Sequence, residues 1–105
     1  MSVALLPELK LDNEFPEELH ILFEPFTGKY ACYNHNGVNG VASFATSEDA
    51  TLFSTTLVSP ISTLLTQCVT FDEARLIAQG RPMPIIALFY FENYALPPIA
   101  THYVK

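Results

Sequence analysis

A chain of 105 residues forms one domain around one hydrophobic core and has no length for a second. Half of its residues are apolar and only 15% are charged, against about 25% in an average soluble domain, so the surface is short of charge and self-association is the expected outlet. The net charge is −6, and the five basic residues, Lys10, Lys29, Arg75, Arg81 and Lys105, do not cluster. That balance argues against nucleic acid and anionic membrane as partners.

Residues 1–18 carry Pro7, Pro16 and a scatter of acids, and read as an extended acidic N-terminal arm ahead of a single α+β domain at 19–105. Over residues 8–24, Glu8, Asp12, Glu14, Glu17, Glu18 and Glu24 are opposed by Lys10 alone, which makes a solvated acidic segment. The N-terminus has no basic stretch, and Pro7 cuts short its apolar residues Val3 to Leu6. No apolar run approaches the roughly 20 residues that span a bilayer, so a soluble, cytoplasmic chain is expected. Leu19, Ile21 and Phe23 alternate with mostly polar neighbours and predict a strand over 19–24. Pro25-Phe26-Thr27-Gly28 is turn chemistry, and a second strand at 29–34 should complete a hairpin. The next segment, residues 34–40, contains two Asn-Gly pairs, which supply the positive φ angles of tight turns.

A pattern then occurs twice. Laying residues 41–54 over 65–78 brings Thr46 onto Thr70, Glu48-Asp49 onto Asp72-Glu73, Ala50 onto Ala74 and Leu52 onto Leu76. Each copy reads as a strand, a threonine cap and an amphipathic helix. In the first, the Thr46 hydroxyl can accept from the Asp49 N–H, and Ala50, Phe53 and Leu57 form the apolar stripe, with Leu52 alongside. Pro60 forbids continuation, so that helix should stop near Leu57. In the second copy, 61–69 suits a strand despite imperfect alternation. Thr70-Phe71-Asp72-Glu73 is a capping box, Ala74, Ile77 and Ala78 face inward, and Gly80 is the stop. Pro82 and Pro84 open the strongest strand, at 85–91. Ile85, Ala87, Phe89 and Phe91 lie on one face of it, and Ile86, Leu88 and Tyr90 on the other. Pro97-Pro98 places a last strand, 99–104, at an edge. The expected architecture is a two-layer sandwich: one mixed sheet of five to six strands with two helices on one face.

No reactive constellation accompanies this framework. The four glycines form no phosphate loop, and no nucleophile elbow or His-Glu-x-x-His occurs, so no catalytic residue, metal or cofactor is assigned. Cys32 and Cys68 belong to no Cys-x-x-Cys pair and read as buried free thiols. The acid pairs Glu48-Asp49 and Asp72-Glu73 are accounted for by helix capping. His20 reads as a solvent-facing strand residue and His102 as an exposed edge residue. His35 and Asn36 in the Asn-Gly loop, Arg81 between Gly80 and the prolines, and Tyr94 beyond the strongest strand are the candidate ligand contacts. Two functions follow from different classes. One is a non-catalytic homodimer or accessory protein-interaction module, with Ile86, Leu88 and Tyr90 as the contact. The other is a small-molecule-binding protein or minor enzyme with an apolar pocket between sheet and helices. A third reading, a regulatory module, docks the acidic arm on a basic partner.

Overall fold

The computed structural model describes residues 15–57 and 64–105; the first fourteen residues of the arm expected over 1–18 and the start of the strand expected at 61–69 lie outside them. The element order is β1 (Glu18–Glu24), β2 (Lys29–Tyr30), β3 (Cys32–His35), β4 (Val38–Phe44), α1 (Ser47–Ser54), β5 (Leu65–Thr70), α2 (Phe71–Gln79), β6 (Ile85–Phe91) and β7 (Ala100–Tyr103). These make an α+β fold with one open, mixed seven-stranded sheet.

The strand expected at 29–34 is broken at Ala31. Its N–H donates to the Leu22 carbonyl at 3.0 Å, and its own carbonyl accepts from Ala42 N–H at 3.0 Å. The chain therefore leaves β1 at Ala31 and joins β4, wedged between the two. Beyond the wedge, β1 and β4 pair directly, His20 opposite Phe44 and Ile21 opposite Ser43. Across the whole sheet the order runs β5, β1, β4, β6, β7, with β4 and β6 parallel and the other pairings antiparallel.

The two helices take opposite faces, not the single face expected. Ala50 and Phe53 of α1 bury with Leu22, Ala42, Phe44, Ala87, Phe89 and Phe91. Ala74 and Ala78 of α2 bury with Leu19, Ile21, Val41, Leu88 and Tyr90. Neighbouring strand residues point to opposite sides, so these two sets are the two faces of one sheet. Winding direction is the physical reason. The connection from β4 through α1 to β5 passes β1 in one direction, and that from β5 through α2 to β6 passes back over β1 and β4. Crossovers between parallel strands are right-handed, so reversing the direction moves the helix to the other face.

Both threonine caps form as the repeat predicts. Thr46 Oγ1 accepts from Asp49 N–H at 3.0 Å. Thr70 Oγ1 accepts from Glu73 N–H at 3.1 Å, while Glu73 Oε1 accepts from Thr70 N–H at 2.9 Å. Gly80 ends α2 in a right-handed conformation, φ −79°, so its lack of a side chain is not required there. Thr70→Ala is expected to destabilise the domain by about 1 kcal/mol and lower the thermal midpoint by roughly 4–8 °C. An unchanged midpoint in a calorimetric scan would show that the box contributes nothing.

On β6 a bulge re-aims two side chains. The register with β4 shifts between Asn39 and Gly40, which pair with Ile85 and Ala87 and leave Ile86 without an opposite residue. Ile85 then packs on the α2 face and Ile86 on the α1 face, the reverse of simple alternation. Gly40 is needed at this point. A Cβ there would lie 2.7 Å from the Ala87 carbonyl oxygen and 2.8 Å from the Phe89 ring. The missing side chain lets Phe89 lie over β4 and reach Tyr33 on β3, edge-on at 6.0 Å.

Candidate functional site

The four expected ligand residues do not converge. At the β3–β4 turn, Asn36 and Gly37 adopt φ of 52° and 85°, the left-handed geometry of a tight hairpin. His35 is half-buried, edge-on to Phe89 at 6.1 Å, with Asn36 Nδ2 at 3.4 Å from its Nε2. Arg81 instead clips the lead-in of β6 to the β1–β2 turn. Its Nη1 donates to the Gly28 carbonyl at 3.3 Å, and the guanidinium sits 5.6 Å from the centre of the Tyr30 ring. Lys105 donates from its ammonium group to the Arg81 carbonyl. Tyr94 follows the opposite end of β6 and packs against the aromatic cluster under α1. His35 and Asn36 are neighbours; Arg81 and Tyr94 each stand apart.

Arg81 does line a shallow groove with Thr27, Lys29, Tyr30, Cys32 and Pro82. The Cys32 thiol lies along it, 3.4 Å from the Tyr30 carbonyl. Desolvation pushes its pKa up, and the nearby Arg81 charge pulls it down by less, so the thiol is not activated. Both cysteines are free and exposed rather than buried as expected, Cys32 beside this groove and Cys68 on the sheet margin.

The contact expected on β6 is interior to the chain. Leu88 is 0% and Tyr90 8% exposed, both in the core beneath α2, and Ile86 is the half-buried bulge residue. A helix packs on each face of the sheet at β6, so neither face is left for a second copy to cover. His102 also differs from its exposed reading: its ring packs edge-on to Phe71 at 5.3 Å and to Phe15 at 6.3 Å.

The β1–β2 turn presents Phe26 to solvent, 91% exposed. Glu24 holds that turn: its carboxylate accepts from the Thr27 hydroxyl, the Thr27 N–H at 2.7 Å and the Phe26 N–H at 3.2 Å. The Thr27 hydroxyl is the largest cause that keeps the Glu24 pKa below the usual carboxylate range, with partial opposition from desolvation. A depressed folded-state pKa stabilises above the unfolded value, and the contribution is lost as pH falls through the folded one. Acid should therefore loosen this turn below the ordinary glutamate range. Chemical-shift titration of Phe26 and Thr27 amides checks it, and Glu24→Gln should remove that pH response.

The feature that sequence reasoning did not single out is the outer edge of β5. Phe71 N–H donates to the Glu17 carbonyl at 3.0 Å, which sets the phase of the β1–β5 ladder. Counting back in twos, Val69, Gln67 and Leu65 exchange hydrogen bonds with Leu19, Ile21 and Phe23. The N–H and C=O of Thr66 and Cys68 therefore point away from the sheet, and among the described residues no strand pairs with them. The Thr70 N–H, next in that series, is taken by Glu73. Leu65, Thr66, Gln67 and Cys68 are all exposed. A six-residue stretch without charge, proline or glycine was the available signal.

Among the described residues no three His, Cys, Asp or Glu side chains gather as metal ligands, and no helix is long and apolar enough to cross a membrane. Comparison of the chain with protein-family models, curated proteins and solved structures gave no match, so the bearing on function comes from the geometry alone.

Proposed function

We propose that this domain is a non-catalytic protein-interaction module whose contact is main-chain pairing along the free edge of β5. One observation carries the reading: Thr66 and Cys68 direct backbone donors and acceptors outward from an uncharged strand margin, with no strand among the described residues to pair them. Such margins add a strand from a partner, with backbone hydrogen bonds for affinity and alternate side chains for selection. The scatter of His35, Asn36, Arg81 and Tyr94 over separate parts of the fold gives the small-molecule reading no common pocket to stand on.

Amide exchange tests the proposal. The Thr66 and Cys68 N–H groups should exchange rapidly in the isolated chain and slow at least about tenfold when an added strand pairs with them. The probe is a panel of uncharged six-residue extended peptides, with the chain's own 65–70 segment among them. Protection confined to these two amides supports strand addition. Unchanged exchange with every peptide, and at every protein concentration, refutes it.

A further inference from the structure

We propose that the occupant of this edge is a second copy of the same chain, paired antiparallel β5 to β5 about a two-fold axis that passes between the two Gln67 residues. The inference rests on the module reading and names its partner.

The β5 and β7 margins of the sheet differ in what they present. The β7 margin is a four-residue strand preceded by Pro97-Pro98 and followed closely by Lys105, devices that discourage a further strand. The β5 margin is longer, six residues, with no proline directly before it in the described chain and no proline, glycine or charge within it. In a chain with net charge −6, an uncharged strand margin lets two copies meet without setting like charges opposite one another.

The phase of the ladder then selects the register. Only Thr66 and Cys68 offer both N–H and C=O outward within β5, because the Thr70 N–H is held by Glu73. Placing Thr66 of each copy opposite Cys68 of the other matches all of these groups with complements. A register centred on Cys68 would instead set Thr66 against Thr70, whose N–H is occupied. In the favoured register Gln67 faces Gln67 as a non-hydrogen-bonded pair, with Cα atoms about 4.5 Å apart. A carboxamide carries both donor and acceptor, so it can complement its own copy, whereas a charged side chain would repel itself. On the α1 face, Thr66 borders a shallow depression lined by Leu52, which is 44% exposed, and by Glu48 and Asp49 of the first helical turn.

Sedimentation equilibrium of the full chain, from low micromolar to about 100 micromolar, tests the pairing. A monomer–dimer equilibrium is expected. Gln67→Lys should raise the dimer dissociation constant at least about tenfold by opposing like charges. Thr66→Pro should do the same by deleting an outward N–H, while the β1–β5 bonds stay intact. Neither group supports the monomer fold, so the thermal midpoint at dilute concentration should not move. In a Cys32→Ser, Cys68→Ser background, Gln67→Cys should cross-link as a dimer on diamide oxidation, since that register brings the two thiols together. A monomer throughout the range overturns self-pairing but leaves the module reading standing if peptides protect Thr66 and Cys68. A dimer indifferent to both edge substitutions overturns the pairing; if those amides also exchange freely, the module reading falls with it.

Discussion

Leu88→Asp is expected to unfold the domain rather than alter its assembly. Leu88 has no solvent exposure and packs between the sheet and α2 with Ala74, Ala78 and Tyr90. A carboxylate there has no cation among the buried side chains of that cluster, and an uncompensated charge in an apolar site costs several kcal/mol. Small domains have only about 5–15 kcal/mol of net stability, so a loss of at least about 4 kcal/mol leaves a large unfolded fraction. Urea unfolding followed by circular dichroism reads this directly. Leu76→Asp is the control: Leu76 lies on the exposed side of α2 at 57%, and its replacement should stay within about 0.5 kcal/mol. A folded, cooperative Leu88→Asp protein would mean that α2 does not cover β6.

Phe89→Ala should be comparably severe, about 3–5 kcal/mol, because the ring occupies the space above Gly40 and touches Tyr33 and His35. Gly40→Ala approaches the same contact from the other side. Its Cβ would meet the Ala87 carbonyl at 2.7 Å and the Phe89 ring at 2.8 Å, and overpacking of this kind costs about 1–3 kcal/mol. The two should couple. In the Phe89→Ala background the ring clash is gone and only the carbonyl contact remains, so Gly40→Ala should cost less than it does alone. A double-mutant cycle by denaturant unfolding should give an interaction of about 0.5–3 kcal/mol. Simple additivity would show that the close approach at Gly40 is not what seats Phe89.

The pairing of β5 was harder to read than these core contacts, because its side chains carry mixed signals. Leu65, Thr66, Gln67 and Cys68 are all exposed and only Val69 is buried, so alternation is blunted where an edge strand meets water on several sides. The same local view set Ile85 and Ile86 on the wrong faces of β6, since a bulge is a property of two paired strands and leaves no mark in one of them. It also treated 29–34 as one strand, although Ala31 divides its bonds between Leu22 and Ala42. The candidate contacts suffered likewise: His35 and Asn36 are neighbours in the chain, and nothing local could show that Arg81 turns toward Gly28 or that Tyr94 packs under α1.

By itself the sequence determined the elements. Thr46 and Thr70 cap their helices through bonds to residues three positions on, and the run 85–91 is a strand whatever surrounds it, because capping and alternation act over a few residues. Only the tertiary structure decided which way the chain winds. Pairing β5 with β1 rather than beside β4 reverses the path of the second crossover, and right-handedness then carries α2 to the face opposite α1. That one long-range choice covers both faces of β6, turns the expected contact at Leu88 and Tyr90 into core, and leaves the backbone of Thr66 and Cys68 without a pairing strand among the described residues.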